Sequence, residues 1–382
     1  MIPLGVIGSL GCPAITVTEL CPKVPDKLRH KRLHKLWSAA TLALLALAAT
    51  PVATVSFDGT AARADSQSID SRSVEPRSTE SRLAAEARLL AQAQTQTKRS
   101  SRPNPSPVAL EAKTKLVEFE NAPFPFDSGD DPRRRRTASL EDDRYSDPRV
   151  LLHIPQGFDI RKPGVVVIFF HGHRANLTRD VLARQRVAEQ ISLSRANAVL
   201  VAPQFAVNAS DSSAGNFWTP GLFTLFLNEA SEQLAILHGF LGLARDFDKL
   251  NVIVVGYSGG FAPVAWAIHH GGSSERMRGV VLLDALYGEL DKFEKWIMAD
   301  RYRRFFISGY LGSTRARNLQ LQHMLDNRGI KYRMALDERI RPGSITFLPG
   351  RNGENHTSYV TKAWTDNPIA DILNRLPEYR RQ

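Results

Sequence analysis

The stretch Asn251–Gly260, NVIVVGYSGG, decides the fold. Its first five residues form an uninterrupted apolar run, which is typical of a strand buried on both faces of a parallel sheet. GYSGG follows at once at 256–260 and has the form G-x-S-x-G. Small residues on both sides of a serine allow a sharp turn from strand to helix, which lifts the hydroxyl above the sheet near a helix N-terminus. The stretch therefore predicts that Ser258 is a nucleophile; the alternative is a glycine-rich turn that only packs a helix close to the sheet.

Strands and helices alternate on both sides of this stretch. Short apolar or β-branched runs predict further strands at 115–119, 150–154, 164–170, 197–202, 279–283, 304–308 and 344–348. Helices are predicted at 223–243, 261–270, 290–300, 315–328 and 368–375. This alternation predicts a three-layer α/β domain, with a mostly parallel sheet, helices on both faces and an antiparallel pair formed by the first two strands. Functional residues are then expected at the carboxyl ends of the strands.

A second strand end of interest carries HGH at residues 171–173, directly after the apolar run GVVVIFF. A serine acyl enzyme needs two backbone N–H groups that point at the developing oxyanion. One is expected from Gly259, the residue after the nucleophile. The other is expected from Gly172, His173 or Arg174. The side chain of His171 is interpreted as a structural brace of this loop.

A serine hydroxyl also needs a general base and a carboxylate that follow it in the chain. His356 lies in the loop after the last predicted strand and is the best candidate for the base. Asp284 directly follows the strand at 279–283 and is the candidate acid, because the loop at 309–314 contains no carboxylate. Glu354 is the fallback acid. The remaining histidines downstream of the serine fall within or at the end of predicted helices: His269, His270 and His323.

Between about Val150 and Leu376 the chain resembles the α/β-hydrolase family, on the motifs HGH, GYSGG, LLDALYG and ENHTSY. The resemblance implies that the family's nucleophile, acid and base fall on Ser258, Asp284 and His356. The usual acid of the family follows the penultimate core strand, whereas some lipase-like members place it one strand earlier, which fits Asp284. The segments HGHRANL, VAPQFAVNASDSSAGNFW and LLDALYGELDKF also resemble poorly described bacterial exported hydrolases, and this likeness implies no substrate.

The segment Gln204–Trp218 follows a strand end and mixes amide, hydroxyl and aromatic groups. It is interpreted either as a lid or wall of an acyl pocket, or as a surface loop packed by its own aromatic residues. Asp211-Ser212-Ser213 within it could cap a helix. Three tyrosines are expected to line the cleft: Tyr257, Tyr287 and Tyr359. No motif indicates a metal, nucleotide or phosphate site, so no cofactor is expected.

The N-terminal region has the pattern of an export signal. Basic residues at 27–35 precede the apolar run LWSAATLALLALAAT at 36–50, and Ala62-Arg63-Ala64 provides a small-x-small cleavage site. Residues 1–64 are therefore predicted to be a secretory signal peptide with an additional N-terminal leader. The alternative is an uncleaved anchor that tethers the protein to the membrane through 36–55. A disordered tether is predicted at 65–113 and the hydrolase domain at 114–382.

The amino-acid composition excludes several classes of protein. The chain has 382 residues, of which 43% are hydrophobic and 23% charged, so it is neither a collagen, a coiled-coil rod nor a polytopic membrane protein. Its net charge of +11 is unevenly spread, and the basic block at 133–136 is flanked by acidic residues, so no nucleic-acid partner is expected. The only cysteines, Cys12 and Cys21, leave the body of the chain without a disulfide framework.

Together these features predict a periplasmic or secreted serine hydrolase that cleaves a carboxylic ester of a small-molecule or lipid-like acyl substrate. If the signal is retained, the enzyme is instead anchored to the membrane and faces the periplasm. The alternatives are an acyltransferase or amidase that acts on an envelope component, and a non-catalytic envelope-binding protein of the same fold. The sequence does not determine the oligomeric state.

Overall fold

The computed structural model describes residues 106–126, 143–270 and 275–381. The predicted leader, the predicted tether up to residue 105 and the basic block at 133–136 lie outside the described residues. Residues 106–113 were assigned to the tether by composition, but in the structure they pack against the domain. The N–H of Ala109 donates to the Phe158 carbonyl at 2.8 Å, and Ala109 is buried. No helix among the described residues is long and apolar enough to cross a membrane.

Eight strands form one sheet in the order β1-β2-β4-β3-β5-β6-β7-β8. The two antiparallel pairings are β1 with β2 and β2 with β4, and all other neighbours are parallel. The sheet is therefore mixed but mostly parallel. Its strands are β1 Lys113–Glu118, β2 Arg149–Ile154, β3 Val165–Phe170, β4 Ala198–Pro203, β5 Asn251–Tyr257, β6 Met277–Leu283, β7 Phe305–Tyr310 and β8 Ile345–Pro349.

Helices cover both faces of the sheet because the central strands are apolar on both sides. The described α-helices are α1 Val187–Leu193, α2 Leu222–His238, α3 Ala244–Asp248, α4 Phe261–His269, α5 Leu290–Ala299, α6 Gly312–Asn327 and α7 Pro368–Asn374. Side chains of α2 to α6 pack on one face in the larger hydrophobic cluster. Those of α1 and α7 pack on the other face.

The predicted strands all appear with shifts of one or two residues at their ends, whereas the helices differ more. The helix predicted at 223–243 ends at His238, because Gly239 takes a φ of +121° that a helix cannot continue through. A π-helical segment, Leu177–Arg184, and α1 were not predicted. The π-helical segment contains three charged residues among eight, and α1 spans only seven residues, so neither sequence shows a long apolar stripe.

Candidate active site

Ser258 lies at the turn where β5 ends and α4 begins. A single 3₁₀ turn, Ser258–Gly260, joins the two elements. The φ angle of Ser258 is +53°, a left-handed conformation that residues other than glycine rarely adopt. The glycines are required for close packing, since a Cβ on Gly260 would lie 2.4 Å from the carbonyl oxygen of Phe170. The turn therefore holds the serine hydroxyl at the carboxyl edge of the sheet.

The side chains of Ser258, His356 and Asp284 lie in one continuous chain of hydrogen bonds. Ser258 Oγ lies 2.8 Å from His356 Nε2, and His356 Nδ1 lies 2.6 Å from Asp284 Oδ2. An ionised carboxylate only accepts hydrogen bonds, so the imidazole proton sits on Nδ1 and Nε2 is free to accept from the hydroxyl. These residues are far apart in sequence, and they meet because the loops after β5, β6 and β8 end at the same edge of the sheet.

Asp284 is fully buried and is held by the junction between the neighbouring strand β7 and α6. Its Oδ1 accepts hydrogen bonds from the Leu311 N–H at 2.9 Å and from the Thr314 hydroxyl. Burial by itself raises the pKa of a carboxyl group, but these hydrogen bonds and the one from His356 keep the pKa of Asp284 below its usual value. The carboxylate therefore stays ionised at neutral pH, as a partner of an imidazolium must.

Glu354, the fallback acid, does not contact His356. Its Oε2 instead accepts a hydrogen bond from the Arg351 N–H at 3.1 Å, within the same loop. The carboxylate that bonds the imidazole is Asp284.

Two of the three tyrosines expected at the cleft contact the imidazole. The ring of Tyr257 stacks on His356 with centroids 5.1 Å apart, and its hydroxyl donates to the His356 carbonyl oxygen at 2.8 Å. Tyr287 meets the same ring edge-on at 6.5 Å. Tyr359 does not line an open cleft: it is 1% exposed and belongs to the core beneath Gly309. An aromatic side chain can line a cleft or pack in the hydrophobic core, so the sequence pattern does not distinguish these two locations for Tyr359.

The loop after β3 brings backbone donors close to the serine. A Cβ added to Gly172 would lie 2.6 Å from Ser258 Cβ and 3.2 Å from its Oγ, so only glycine allows this approach. The N–H of Arg174 is occupied by the Ala209 carbonyl at 2.8 Å. The N–H of His173 has no acceptor within the described residues. Of the candidate donors, Gly259 directly follows Ser258 and His173 directly follows Gly172, which lies against Ser258, whereas the N–H of Arg174 is already engaged.

The two histidines of the HGH motif lie in different environments. His171 is buried, as expected of a brace, and burial lowers its pKa to about 4. The exposed His173 lies with its ring on Gly259 and its Nε2 2.7 Å from Ser212 Oγ. The part of the chain that the structure describes contains no group of three His, Cys, Asp or Glu side chains that could hold a metal ion.

The segment Gln204–Trp218 is anchored to the domain at both ends. Phe217 is fully buried among the phenylalanines of the core, while the Asn208 N–H donates to the Ala175 carbonyl and the Ser210 hydroxyl accepts from Arg174, both in the loop after β3. Asp211 accepts a hydrogen bond from the Ser213 N–H at 3.0 Å and caps no helix, because the short 3₁₀ turn Gly215–Trp218 begins after Ala214 without a side-chain cap.

Sequence reasoning missed two polar residues that support this site, Thr314 and Gln204. The stretch 309–314 contains no carboxylate, yet its Leu311 N–H and its Thr314 hydroxyl hold the carboxylate of Asp284, which follows the neighbouring strand β6. Gln204 was included in a segment considered for its shape rather than for its hydrogen bonds. A buried amide leaves no periodic signal, so only its position directly after a buried strand could have pointed to it.

The sheet order, with its antiparallel start, the tight serine turn after β5 and the late histidine loop define the α/β-hydrolase architecture. No protein-family model and no curated protein matches the chain. Solved structures that it is similar to include a serine-to-alanine mutant of the feruloyl esterase module from Clostridium thermocellum in complex with sinapinate, at 13% identity and a TM-score of 0.44 over 73% of this chain and 92% of that one.

Two further solved structures are similar at comparable levels. An S-formylglutathione hydrolase from Agrobacterium tumefaciens has 13% identity and a TM-score of 0.36, over 70% of this chain and 97% of that one. A mutant of the esterase rPPE has 12% identity and a TM-score of 0.38, over 81% of this chain and 99% of that one.

Proposed function

We propose that the protein is a serine hydrolase that cleaves a carboxylic ester of a small or lipid-like substrate through an acyl-enzyme on Ser258. The observation that carries the proposal is the unbroken hydrogen-bond chain from the Ser258 hydroxyl through His356 to a buried, ionised Asp284. A serine hydroxyl is a weak nucleophile until a positioned base takes its proton, and this chain supplies that base in the required tautomer.

In the first half-reaction, His356 Nε2 takes the hydroxyl proton while Ser258 Oγ attacks the ester carbonyl carbon. The carbonyl oxygen becomes an oxyanion, which the N–H groups of His173 and Gly259 stabilise. His356 then gives its proton to the departing alkoxide oxygen, so that an alcohol leaves and the acyl group remains on the serine. In the second half-reaction a water repeats these steps, releases the carboxylic acid and restores the hydroxyl.

The surroundings of His356 support its alternation between neutral and charged forms. The Tyr257 ring lies against one face of the imidazole, and an aromatic face attracts a cation. Asp284, on the other side, stabilises the imidazolium without taking its proton. Both contacts strengthen when the imidazole becomes positive, which is the state that accompanies the oxyanion.

The direct test is a fluorophosphonate probe followed by peptide mapping. The label is expected on Ser258 and is lost in Ser258→Ala, whereas Ser212→Ala keeps it. Ser212 is a suitable control because its Oγ also lies beside an imidazole nitrogen, at 2.7 Å from His173 Nε2, but outside the strand-to-helix turn. Unlabelled folded protein would instead favour a non-catalytic envelope-binding role.

Turnover of p-nitrophenyl esters of increasing acyl length then identifies the substrate range. An acyltransferase or an amidase would use the same serine and imidazole with a different acceptor or leaving group. Products measured in water and in the presence of alcohol acceptors separate hydrolysis from transfer. Acid as the dominant product in both conditions is the result expected of an ester hydrolase.

We propose further that the enzyme is exported, on the basis of the basic, apolar and small-x-small segments within residues 27–64. N-terminal sequencing of protein recovered from a periplasmic fraction is expected to begin at Asp65. Recovery of the uncut chain in the membrane fraction would indicate an anchor instead.

A further inference from the structure

A fully buried amide, Gln204, lies directly after β4 and bonds the loop that follows β3. Its Oε1 accepts from the Leu177 N–H at 2.9 Å. The two hydrogens of its Nε2 are shared among three acceptors: the Ala175 carbonyl at 3.2 Å, the Phe205 carbonyl at 2.9 Å and His171 Nε2 at 2.9 Å. One side chain therefore connects the beginning, the middle and the end of the loop 171–177.

These contacts fix the tautomer of His171. Its Nε2 also lies 2.8 Å from the N–H of Phe205, which can only donate, so this ring nitrogen carries no proton. The proton is on Nδ1, which donates to the carbonyl oxygen of Gly172 at 2.8 Å. The ring is thus bonded at both nitrogens, with Gln204 and Phe205 on one side and the main chain of its own loop on the other.

The hydrogen bond to the Gly172 carbonyl orients the peptide between Gly172 and His173. In a planar trans peptide the N–H points opposite to the carbonyl, so the N–H of His173 points away from the buried imidazole. Gly172 itself lies against Ser258. The carbonyl of this peptide is bonded to the interior, while its N–H has no acceptor within the described residues.

We propose that Gln204 is a positioning residue of the oxyanion hole: through His171 it sets the orientation of the peptide whose N–H, that of His173, receives the oxyanion. The inference rests on the proposed function and identifies the residues that hold one donor of the oxyanion hole in place. Donors in an oxyanion hole act only when they are aimed at the transition state, so a small rotation of this peptide weakens catalysis without weakening substrate binding.

The chemistry of the network requires that His171 remains neutral. A proton on Nε2 would face the Phe205 N–H and the Gln204 amide hydrogens, which are both donors. Burial lowers the pKa of His171 to about 4, so the ring is neutral at pH 7. In this neutral state the Nε2 lone pair accepts from the Phe205 N–H and the Gln204 amide, while the proton on Nδ1 is donated to the Gly172 carbonyl.

The other end of β4 offers a matched control. Asn197 directly precedes the strand, is also fully buried, and bonds a loop at the opposite edge of the sheet. Its Oδ1 accepts from the Asp159 N–H at 2.9 Å, and its Nδ2 donates to the Asp159 carbonyl at 2.8 Å. The two amides are alike in burial and in number of bonds, but only Gln204 reaches the loop beside Ser258.

The experiment compares Gln204→Glu with Asn197→Asp, each an isosteric change of a buried amide. For each variant kcat, KM, melting temperature and the affinity for a trifluoromethyl ketone, which forms an oxyanion on the serine, are measured. Gln204→Glu is expected to lower kcat by roughly 10- to 100-fold with KM little changed, because one oxyanion donor is worth about 10²–10³ in kcat. The ketone affinity should fall in parallel. Asn197→Asp should lower only the melting temperature.

Imidazole ¹⁵N spectra provide a readout that a purely structural role would leave unchanged. In the wild type His171 should show a protonated Nδ1 and a bare Nε2, and in Gln204→Glu this pattern should be lost. Gln204→Met, which has a similar length and no charge to bury, repeats the kinetic test if the carboxylate variant does not fold. Equal loss of kcat in the Gln204 and Asn197 variants, or unchanged ketone affinity in Gln204→Met, overturns the inference. A wild type without turnover or labelling overturns the proposed function itself.

Discussion

The connections that lead from strands to helices differ from those that lead from helices back to strands. Within the described residues, seven non-glycine residues have a positive φ: Arg174, Arg186, Asn208, Ser258, Asp284, Glu289 and Asn367. Six of them lie between the carboxyl end of a strand and the helical segment that follows, and Arg186 lies between the π-helical segment and α1. The described parts of the helix-to-strand connections contain no such residue. Left-handed conformations of such residues cost on the order of 1–3 kcal/mol each, so backbone strain is concentrated at the edge of the sheet that holds the proposed site.

The proposed nucleophile and acid have strained backbone conformations because of where they lie in the chain, and not because of the chemistry of their side chains. Ser258 and Asp284 each directly follow a strand, where the chain must turn at once. At the opposite edge the polar side chains, such as Asn197, bond the backbone of relaxed loops. Substitutions at the two edges should therefore separate activity from stability.

The largest effect is expected at Ser258. Two substitutions at this position distinguish the loss of the hydroxyl, which affects activity, from the relief of backbone strain, which affects stability. Ser258→Ala and Ser258→Gly should both lower kcat by roughly 10⁴- to 10⁶-fold, because neither retains the hydroxyl. Ser258→Gly should be more stable than Ser258→Ala by about 1 kcal/mol, since glycine adopts a positive φ without a Cβ clash. Ester turnover and chemical denaturation measure the two quantities. Equal stability of the two variants would contradict the assignment of strain to this turn.

The next largest effect is expected at Asp284. Asp284→Asn should lower kcat by roughly 10²- to 10⁴-fold, because an amide can donate to Nδ1 and hold the imidazole in the wrong tautomer. Steady-state kinetics should show the loss in kcat rather than in KM. Glu354→Gln is the control and should leave kcat unchanged, since Glu354 bonds the Arg351 N–H and not His356. A larger loss in the Glu354 variant would reverse the assignment of the acid.

A smaller effect is expected at Thr314, whose hydroxyl holds Asp284 from the first turn of α6. Thr314→Val should lower kcat by about tenfold because it removes a hydrogen bond to a charged group, whereas Thr314→Ser should retain kcat. Loss of a hydrogen bond to the ionised carboxylate raises the pKa of Asp284, so an NMR titration of this carboxyl group should give a higher pKa in Thr314→Val than in the wild type or in Thr314→Ser. Ser231→Ala removes a buried hydroxyl in α2 and should leave the pKa of Asp284 unchanged.

The smallest effect on activity is expected at His153, which lies within β2. Burial lowers its pKa to about 4, below the value of about 6.5 in an unfolded chain. As the pH falls, the unfolded state therefore binds a proton at His153 before the folded state does. The contribution of neutral His153 to the free energy of unfolding is complete above pH 6.5 and is lost between pH 6.5 and about pH 4. His153→Gln should make the pH-dependent decrease in the free energy of unfolding smaller by about 3 kcal/mol and leave kcat at pH 7 unchanged. Denaturation midpoints at pH 7 and pH 4.5 provide the measurement; identical pH dependence in both proteins would contradict it.

The strands were predictable because a strand that is buried on both faces consists of consecutive apolar residues, and such runs are visible in the sequence. Three strand ends then located Ser258, Asp284 and His356, since parallel strands finish at a common edge. What they do chemically stays a proposal. The helix Val187–Leu193 and the π-helical segment before it could not be predicted, because their stability comes from contacts with distant segments, such as the bond from Gln190 to the Val360 carbonyl.

Hydrogen-bond partners were the least predictable feature. A glutamine after a strand or a threonine at the start of a helix can form hydrogen bonds in many different environments. Only the three-dimensional structure shows which partner each side chain has. Gln204 and Thr314 each bond a residue on a different strand connection. Tyr359 shows the reverse problem, because an aromatic residue near a histidine in sequence was expected at the cleft and is buried in the core instead.

Ser313 lies beside the carboxylate that bonds His356. Its hydroxyl lies 3.4 Å from Asp284 Oδ2, the oxygen that bonds this imidazole. A carboxylate introduced by Ser313→Asp, in the first turn of α6, is therefore expected to reach the same imidazole. The proposed acid could thus have moved between neighbouring strands in evolution through an ancestor that carried both carboxylates.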